Sequence, residues 1–260
     1  MDEFMDRAVY MGIDPTAGKR PMHVAVLDDQ LRMVHLGRHN LESLLASIAE
    51  YEPRVVAVDA PQSPNQGLMT RPEVRQRFGL KPSGKTWCNW KLAEFELRRR
   101  NIRLYNTPAS SDDAPSWMQQ GFQIFQRLQA LGFQMLTAGM EDGARLLLEV
   151  HPHACFTVLL ERRPFHKQTL EGRVQRQLVL YLEGLDLPNP MQIFEEITRH
   201  HLLQGQLQLE NLYDHDSLDA LAAAYTAYLC ARRPERICQV GDQIEGLITV
   251  PVGDLKDRYS

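Results

Sequence analysis

Two short apolar runs, each stopped by an aspartate, constrain the fold of this chain more than any other feature. Ala8-Val9-Tyr10-Met11-Gly12-Ile13 runs into Asp14, and Val55-Val56-Ala57-Val58 runs into Asp59. The second run, β-branched and wholly apolar, reads as a central parallel strand buried on both faces. Such a sheet needs helices on both sides. In open α/β sheets the site lies beyond the carboxyl ends of the strands, which is where Asp14 and Asp59 would be delivered. Each acid alone also has a plain structural reading, because aspartate commonly forms the turn after a strand.

The remaining elements follow from periodicity and breakers. His23–Leu27 and Leu31–Leu36 read as a hairpin around the Asp28-Asp29 turn. Asn40 caps a helix that runs through Glu50. From Ala60 to about Gly143 the β/α rhythm breaks: Lys91–Arg100 is a basic helix, Ile102–Tyr105 a short strand and Ser116–Leu131 an amphipathic helix. Arg145–Leu148 resumes the sheet and runs into Glu149-Val150-His151-Pro152. Helices are expected at about Gln168–Gly184 and Pro190–Leu203, and Ile237–Val240 with Leu247–Val250 closes the chain as two short strands. The expectation is an α/β fold in a single domain over residues 1–260, with a helical insertion at about 61–143 after the fourth strand.

His215-Asp216-Ser217-Leu218-Asp219-Ala220-Leu221 opens the last long helix. Leu218, Leu221, Ala222, Tyr225, Tyr228 and Leu229 form one apolar stripe at helical spacing. Asp216 and Asp219 lie roughly 60° apart around the axis, off that stripe. Either they share a hard cation with acids facing them, or Asp214 or Asp216 caps the helix while Asp219 favours its positive end. The spacing alone leaves both open.

Charge narrows the partners. The net charge is −4, yet ten Lys and Arg residues fall between Arg71 and Arg103 against only Glu73, Glu94 and Glu96. An acidic body with one basic arm suits a protein that holds metal ions and approaches a polyanion. Cys88, Cys155, Cys230 and Cys238 are scattered without a Cys-x-x-Cys pair, and the first residues have neither the basic nor the apolar part of a signal peptide. With no apolar run of bilayer length, the expectation is a cytoplasmic protein with no membrane partner. The oligomeric state is not legible.

Several motifs compete. Gly79-Leu80-Lys81-Pro82-Ser83-Gly84-Lys85-Thr86 satisfies the P-loop pattern literally. Such a loop must follow a buried strand, and Val74-Arg75-Gln76-Arg77-Phe78 is too charged to be one, so a basic loop is expected. Trp87, Trp90 and Phe95 interleave with Lys85, Lys91 and Arg98. Aromatics beside cations suit unpaired bases, which makes Lys85, Trp87, Trp90, Arg98 and Arg99 the expected substrate contacts; anchoring of the insertion is the alternative. His151-x-His153-x-Cys155 could offer three metal ligands on one strand face, though Pro152 argues against a regular strand there.

The acids fit together better. Asp14, Asp59, Asp216 and Asp219, with Glu149 as a fifth, would repel one another unless protonated or neutralised by divalent cations. Mg²⁺ or Mn²⁺ suits an all-oxygen site, and two such ions would clamp the attacking and leaving oxygens of a phosphodiester. Gly12-Ile13-Asp14, Val56-Ala57-Val58-Asp59-Ala60-Pro61, Glu149-Val150-His151-Pro152 and His215–Ala224 together resemble the predicted nucleases called domain of unknown function 429. The Asp216-x-x-Asp219-Ala220-Leu221 ending is similar to the Holliday-junction resolvase branch of the RNase H-like superfamily. The resemblance implies an RNase H-like mixed sheet, its first three strands antiparallel and the rest parallel, flanked by helices. It also implies a two-metal site on Asp14, Asp59, Asp216 and Asp219. Glu149 is not part of the resolvase pattern. The expected activity is a metal-dependent nuclease or phosphodiesterase acting on nucleic acid or another phosphodiester. The alternatives are a nucleotide-binding ATPase or kinase, reached through Gly79–Thr86 or Gly12-Ile13-Asp14-x-Thr16, and a silent nucleic-acid-binding module on the same fold.

Overall fold

The structure is a computed structural model that describes residues 8–16, 20–137, 143–192, 194, 199–207 and 209–260. Its centre is an eight-stranded mixed sheet. β1 (Val9–Asp14), β2 (Met22–Asp28) and β3 (Met33–His39) form an antiparallel meander, and α1 (Leu41–Tyr51) follows. β4 (Val55–Val58) then pairs parallel with β1, and β6 (Leu146–Val150) parallel with β4. The sheet order is β3-β2-β1-β4-β6-β8-β7, where β7 is Cys238–Asp242 and β8 is Gly246–Val250. A two-residue strand, β5 (Gln134–Met135), pairs with β6 off this path. An antiparallel meander running into parallel strands is the RNase H-like arrangement expected from the sequence.

Period-2 alternation divides the core into two layers. Met11, Ile13, Val56, Val58 and Leu147 face Leu44 and Ile48 of α1 and Ile124, Phe125 and Leu128 of α4 (Ser116–Ala130). Tyr10, Val55, Ala57, Leu148 and Val150 face the other way. There they meet α5 (Pro152–Leu159), α6 (Leu170–Leu182) and the long helix at His215–Arg232. That helix is α8, since Arg199–Leu203 forms α7. α8 departs from the single-stripe expectation: nearly every residue from Leu218 to Cys230 is buried. It lies on β1, β2 and β4 with α5 and α6 against it, and a helix covered all round carries apolar and small residues on every face.

Other expectations are corrected. Ile102–Tyr105 forms no strand. The Ile102 N–H donates instead to the Leu97 carbonyl at 3.1 Å and closes α3 (Leu92–Arg99). His151-Pro152-His153 is not a strand face, because Pro152 starts α5, where its missing N–H costs nothing. Within the helix expected at Pro190–Leu203, Gln192 and Phe194 are helical and Arg199–Leu203 forms α7, while residues 193 and 195–198 lie outside the described residues. Among the described residues no helix is long and apolar enough to cross a membrane.

The P-loop pattern fails on its surroundings. α2 (Pro72–Arg77), not a strand, precedes it. The buried Arg75 guanidinium donates to the carbonyls of Lys81 (2.7 Å) and Thr86 (2.8 Å), so the loop turns carbonyl oxygens inward around a cation. A phosphate loop must turn its N–H groups inward instead.

Candidate metal centre

The site begins with a glycine. A Cβ on Gly12 would lie 2.1 Å from the Ala220 carbonyl oxygen and 2.3 Å from the Ala224 nitrogen. Only glycine lets α8 lie this close to β1. Two residues on, Asp14 ends β1, and Asp219 on α8 sits beside it. Asp59 follows β4 directly, and its N–H donates to the Ile13 carbonyl at 2.9 Å, which holds it next to the end of β1. Asp214 caps α8 by accepting the Ser217 N–H at 2.8 Å. That sets Asp216 in the first turn and Asp219 one turn later.

Asp14, Asp216 and Asp219 each offer a carboxylate oxygen, and these lie within 4.8 Å of one another. Asp14 and Asp219 are buried and Asp216 is half-buried. Burial raises the Asp14 carboxyl well above the usual carboxylate range, and the charges of Asp59 and Asp219 add to the rise. Asp219 is raised as well, first by burial; Lys167 opposes that rise and Asp59 reinforces it. A trio of hard oxygen donors whose charges oppose one another fits a divalent cation by its donor chemistry. Asp59 stands outside the trio, within electrostatic reach of both buried members.

Two basic residues attend the acids. The Lys167 Nζ donates to Asp219 Oδ2 at 2.7 Å from the loop between α5 and α6. His151 lies with Nδ1 3.7 Å from Asp59 Oδ1, a charge contact rather than a tight hydrogen bond. Its Nε2 is 3.1 Å from the Arg103 carbonyl, which can only accept, so Nε2 carries a proton. Burial would lower the His151 pKa, but Asp59 and the Arg103 carbonyl outweigh it and raise the imidazole above its ordinary value.

A cavity of about 560 Å³ adjoins these residues, and its lining includes Asp59, Asp219 and Lys167. Of the expected substrate contacts, only Arg98 lines it. Trp87 packs edge-on against Trp90 (5.6 Å) and Phe95 (5.3 Å), in a small core with Met69, Val74 and Leu92. Arg98 lies over Trp90, Arg99 lies 5.5 Å from the Phe78 ring, and Lys85 is exposed. Glu149 is not part of the trio, and its Oε2 accepts the Gln62 N–H at 2.9 Å. His151, His153 and Cys155 do not converge, since Cys155 is buried against Thr226.

The site elements lie almost wholly inside one recognised sequence unit. The chain belongs to the family described as protein of unknown function (DUF429), whose sequence profile matches residues 12–243. No curated protein matches the chain. The DUF429 match takes in Gly12, all four aspartates, Glu149, His151 and Lys167, and stops short of β8. Lys167 and His151 are the residues that sequence reasoning missed or misread. Lys167 stands 52 positions from its partner Asp219 in a loop without a motif, and His151 was read within the Glu149–Pro152 stretch and as part of a metal-ligand pattern that α5 does not form, not as a partner of Asp59.

Proposed function

We propose that the protein is a Mg²⁺- or Mn²⁺-dependent phosphodiesterase that cuts nucleic acid, with Asp14, Asp216 and Asp219 as metal ligands and Asp59 completing the shell. The observation that carries this reading is the convergence of three carboxylates, two of them buried, with a cation-lined cavity beside them. When bound, such ions polarise a phosphoryl oxygen and make water a stronger nucleophile. The chain's own residues do the rest. Asp14 and Asp219, fixed by β1 and α8, supply charge in a dry setting where it acts strongly. The ammonium of Lys167 neutralises part of the acid cluster before substrate arrives and is placed to meet a phosphate oxygen. His151, proton-bearing at Nε2, orients Asp59. Glu149, with its carboxylate held by the Gln62 N–H, supports the loop that follows Asp59.

The ATPase reading loses its phosphate loop to Arg75, and the Thr16 hydroxyl is engaged by the Arg20 carbonyl at 2.6 Å. Incubation of the full chain with single-stranded and duplex oligonucleotides, with Mg²⁺, with Mn²⁺ and with chelator, tests the proposal. Hydrolysis that needs the metal and falls at least ~100-fold in Asp14→Asn is expected. Hydrolysis indifferent to chelator would remove the mechanism.

A further inference from the structure

We propose that the cavity beside the aspartates is a subsite for one unpaired nucleotide of a nucleic-acid strand. The substrate is then single-stranded, or frayed, where it is cut. The inference rests on the phosphodiesterase reading and names its substrate.

Size comes first. About 560 Å³ falls among pockets that enclose a small organic ligand. Bases of an intact duplex are stacked inside it and reach such a pocket only when flipped out or already unpaired. Charge comes second. Arg98, Arg103, Arg163, Arg176 and Lys167 line the cavity against Asp59 and Asp219. The acids sit where metal is proposed, which leaves the arginines for phosphate.

Two unpartnered atoms make the case more specific. Arg176 is 2% exposed. Its Nη1 donates to the carbonyls of Phe165 (2.8 Å) and Gly172 (3.1 Å), while its Nε has no partner. His153, also on the lining, carries a buried Nε2 without a partner. Buried polar atoms are nearly always satisfied, by protein, water or ligand. Arg176 and His153 both belong to the cavity lining, so a phosphate oxygen held there would bring an anionic acceptor beside this guanidinium.

The aromatics separate a nucleotide from a bare phosphate. Tyr105 is 74% exposed and Phe165 57% exposed, and both line this cavity. Among the described residues the one ring that meets Tyr105 is Trp117, edge-on at 6.1 Å. Exposed rings next to arginines offer a stacking face to a base of any identity. The Trp87–Trp90 pair, by contrast, spends its faces on the insertion's own core.

The test is fluorescence anisotropy on the full chain in chelator, where metal-dependent cutting is off. The probes are a labelled ten-base oligothymidylate, a blunt hairpin duplex and, as competitor, thymidine monophosphate. The single strand should bind at least tenfold more tightly than the hairpin. Arg103→Ala and Tyr105→Ala should each weaken it about tenfold. Both side chains are exposed, so the fold should survive, which circular dichroism checks. Equal binding of hairpin and single strand, or indifference to both substitutions, would overturn the subsite. So would a monophosphate that competes as well as the oligonucleotide. Strand-selective binding without any metal-dependent hydrolysis would keep the subsite and remove the phosphodiesterase reading. Hydrolysis with no strand preference would do the reverse.

Discussion

Two sets of buried acids in this molecule are held in opposite ways. In the first set, carboxylates are satisfied by backbone. Glu245, fully buried, accepts the Leu68 N–H at 2.7 Å on one oxygen and the Leu92 N–H at 2.9 Å on the other. Glu94 accepts the Lys91 and Thr107 N–H groups, each at 2.9 Å. Glu149 accepts that of Gln62. Glu245 and Glu149 fasten the segment between β4 and α4 to the sheet, and Glu94 ties that segment to itself. In the second set, acids face each other. Among the described residues no donor reaches the Asp14 carboxylate, and Asp219 receives only Lys167. Burial therefore does not distinguish a working acid from a structural one. The number of N–H groups aimed at it does, because a carboxylate with donors is already paired and one without them still needs a cation.

The largest expected effect breaks the second set. Asp14→Asn should lower turnover of an oligonucleotide at least ~100-fold. Without metal it should unfold at the same or a higher denaturant concentration, because one member of a repelling cluster is gone. A clearly less stable Asp14→Asn protein would place Asp14 with the structural acids instead.

The mirror-image change is Glu245→Gln. One amide oxygen can still accept, but the NH₂ group meets a backbone N–H and leaves it unsatisfied. Denaturant melts should show a loss of about 1–3 kcal/mol, with metal affinity by calorimetry unchanged. Lost metal binding at preserved stability would contradict the division.

Lys167→Ala sharpens the comparison from the basic side. The cation already among the acids is removed, so Mn²⁺ should bind several-fold more tightly while turnover falls about tenfold. Titration and steady-state rates on the same preparation separate the two.

A smaller effect is expected in pH. Asp14 and Asp219 hold protons more tightly folded than at the ordinary value of 3.8, so the native state binds more protons than the unfolded one above that pH. Metal-free stability should therefore fall as pH rises from about 3.8 toward neutrality. Glu94, raised to about 7 by burial, contributes with the same sign. The readout is thus the difference between wild type and Asp14→Asn, whose slope should be shallower. Identical slopes would mean that Asp14 is already ionised and partnered.

How much of this was legible in the sequence depends on how local the cause is. Asp14 and Asp59 could be read because an apolar strand ending in an acid is a contiguous signal. Asp216 and Asp219 showed through helical spacing, although spacing alone could not separate a cap from a ligand pair. Asp214 proved to be the cap. Gly12 was part of the pattern, but its reason, the backbone of α8 against β1, exists only in three dimensions. Pro152 suggested an interruption and is in fact the first residue of α5. Gly79–Thr86 matched a motif letter by letter, yet the sense of its backbone groups is set by Arg75, which no pattern contains. Lys167, Arg176 and Phe165 reach the cavity through the α5–α6 loop and α6, far in sequence from the acids they serve.

The most direct measurement of the central claim is anomalous diffraction from crystals of the full chain soaked in Mn²⁺. A peak between the carboxylates of Asp14, Asp216 and Asp219, with Asp59 at its edge and Lys167 displaced from Asp219, is the expected result. No peak there, with the Lys167–Asp219 pair intact at saturating Mn²⁺, would contradict the account.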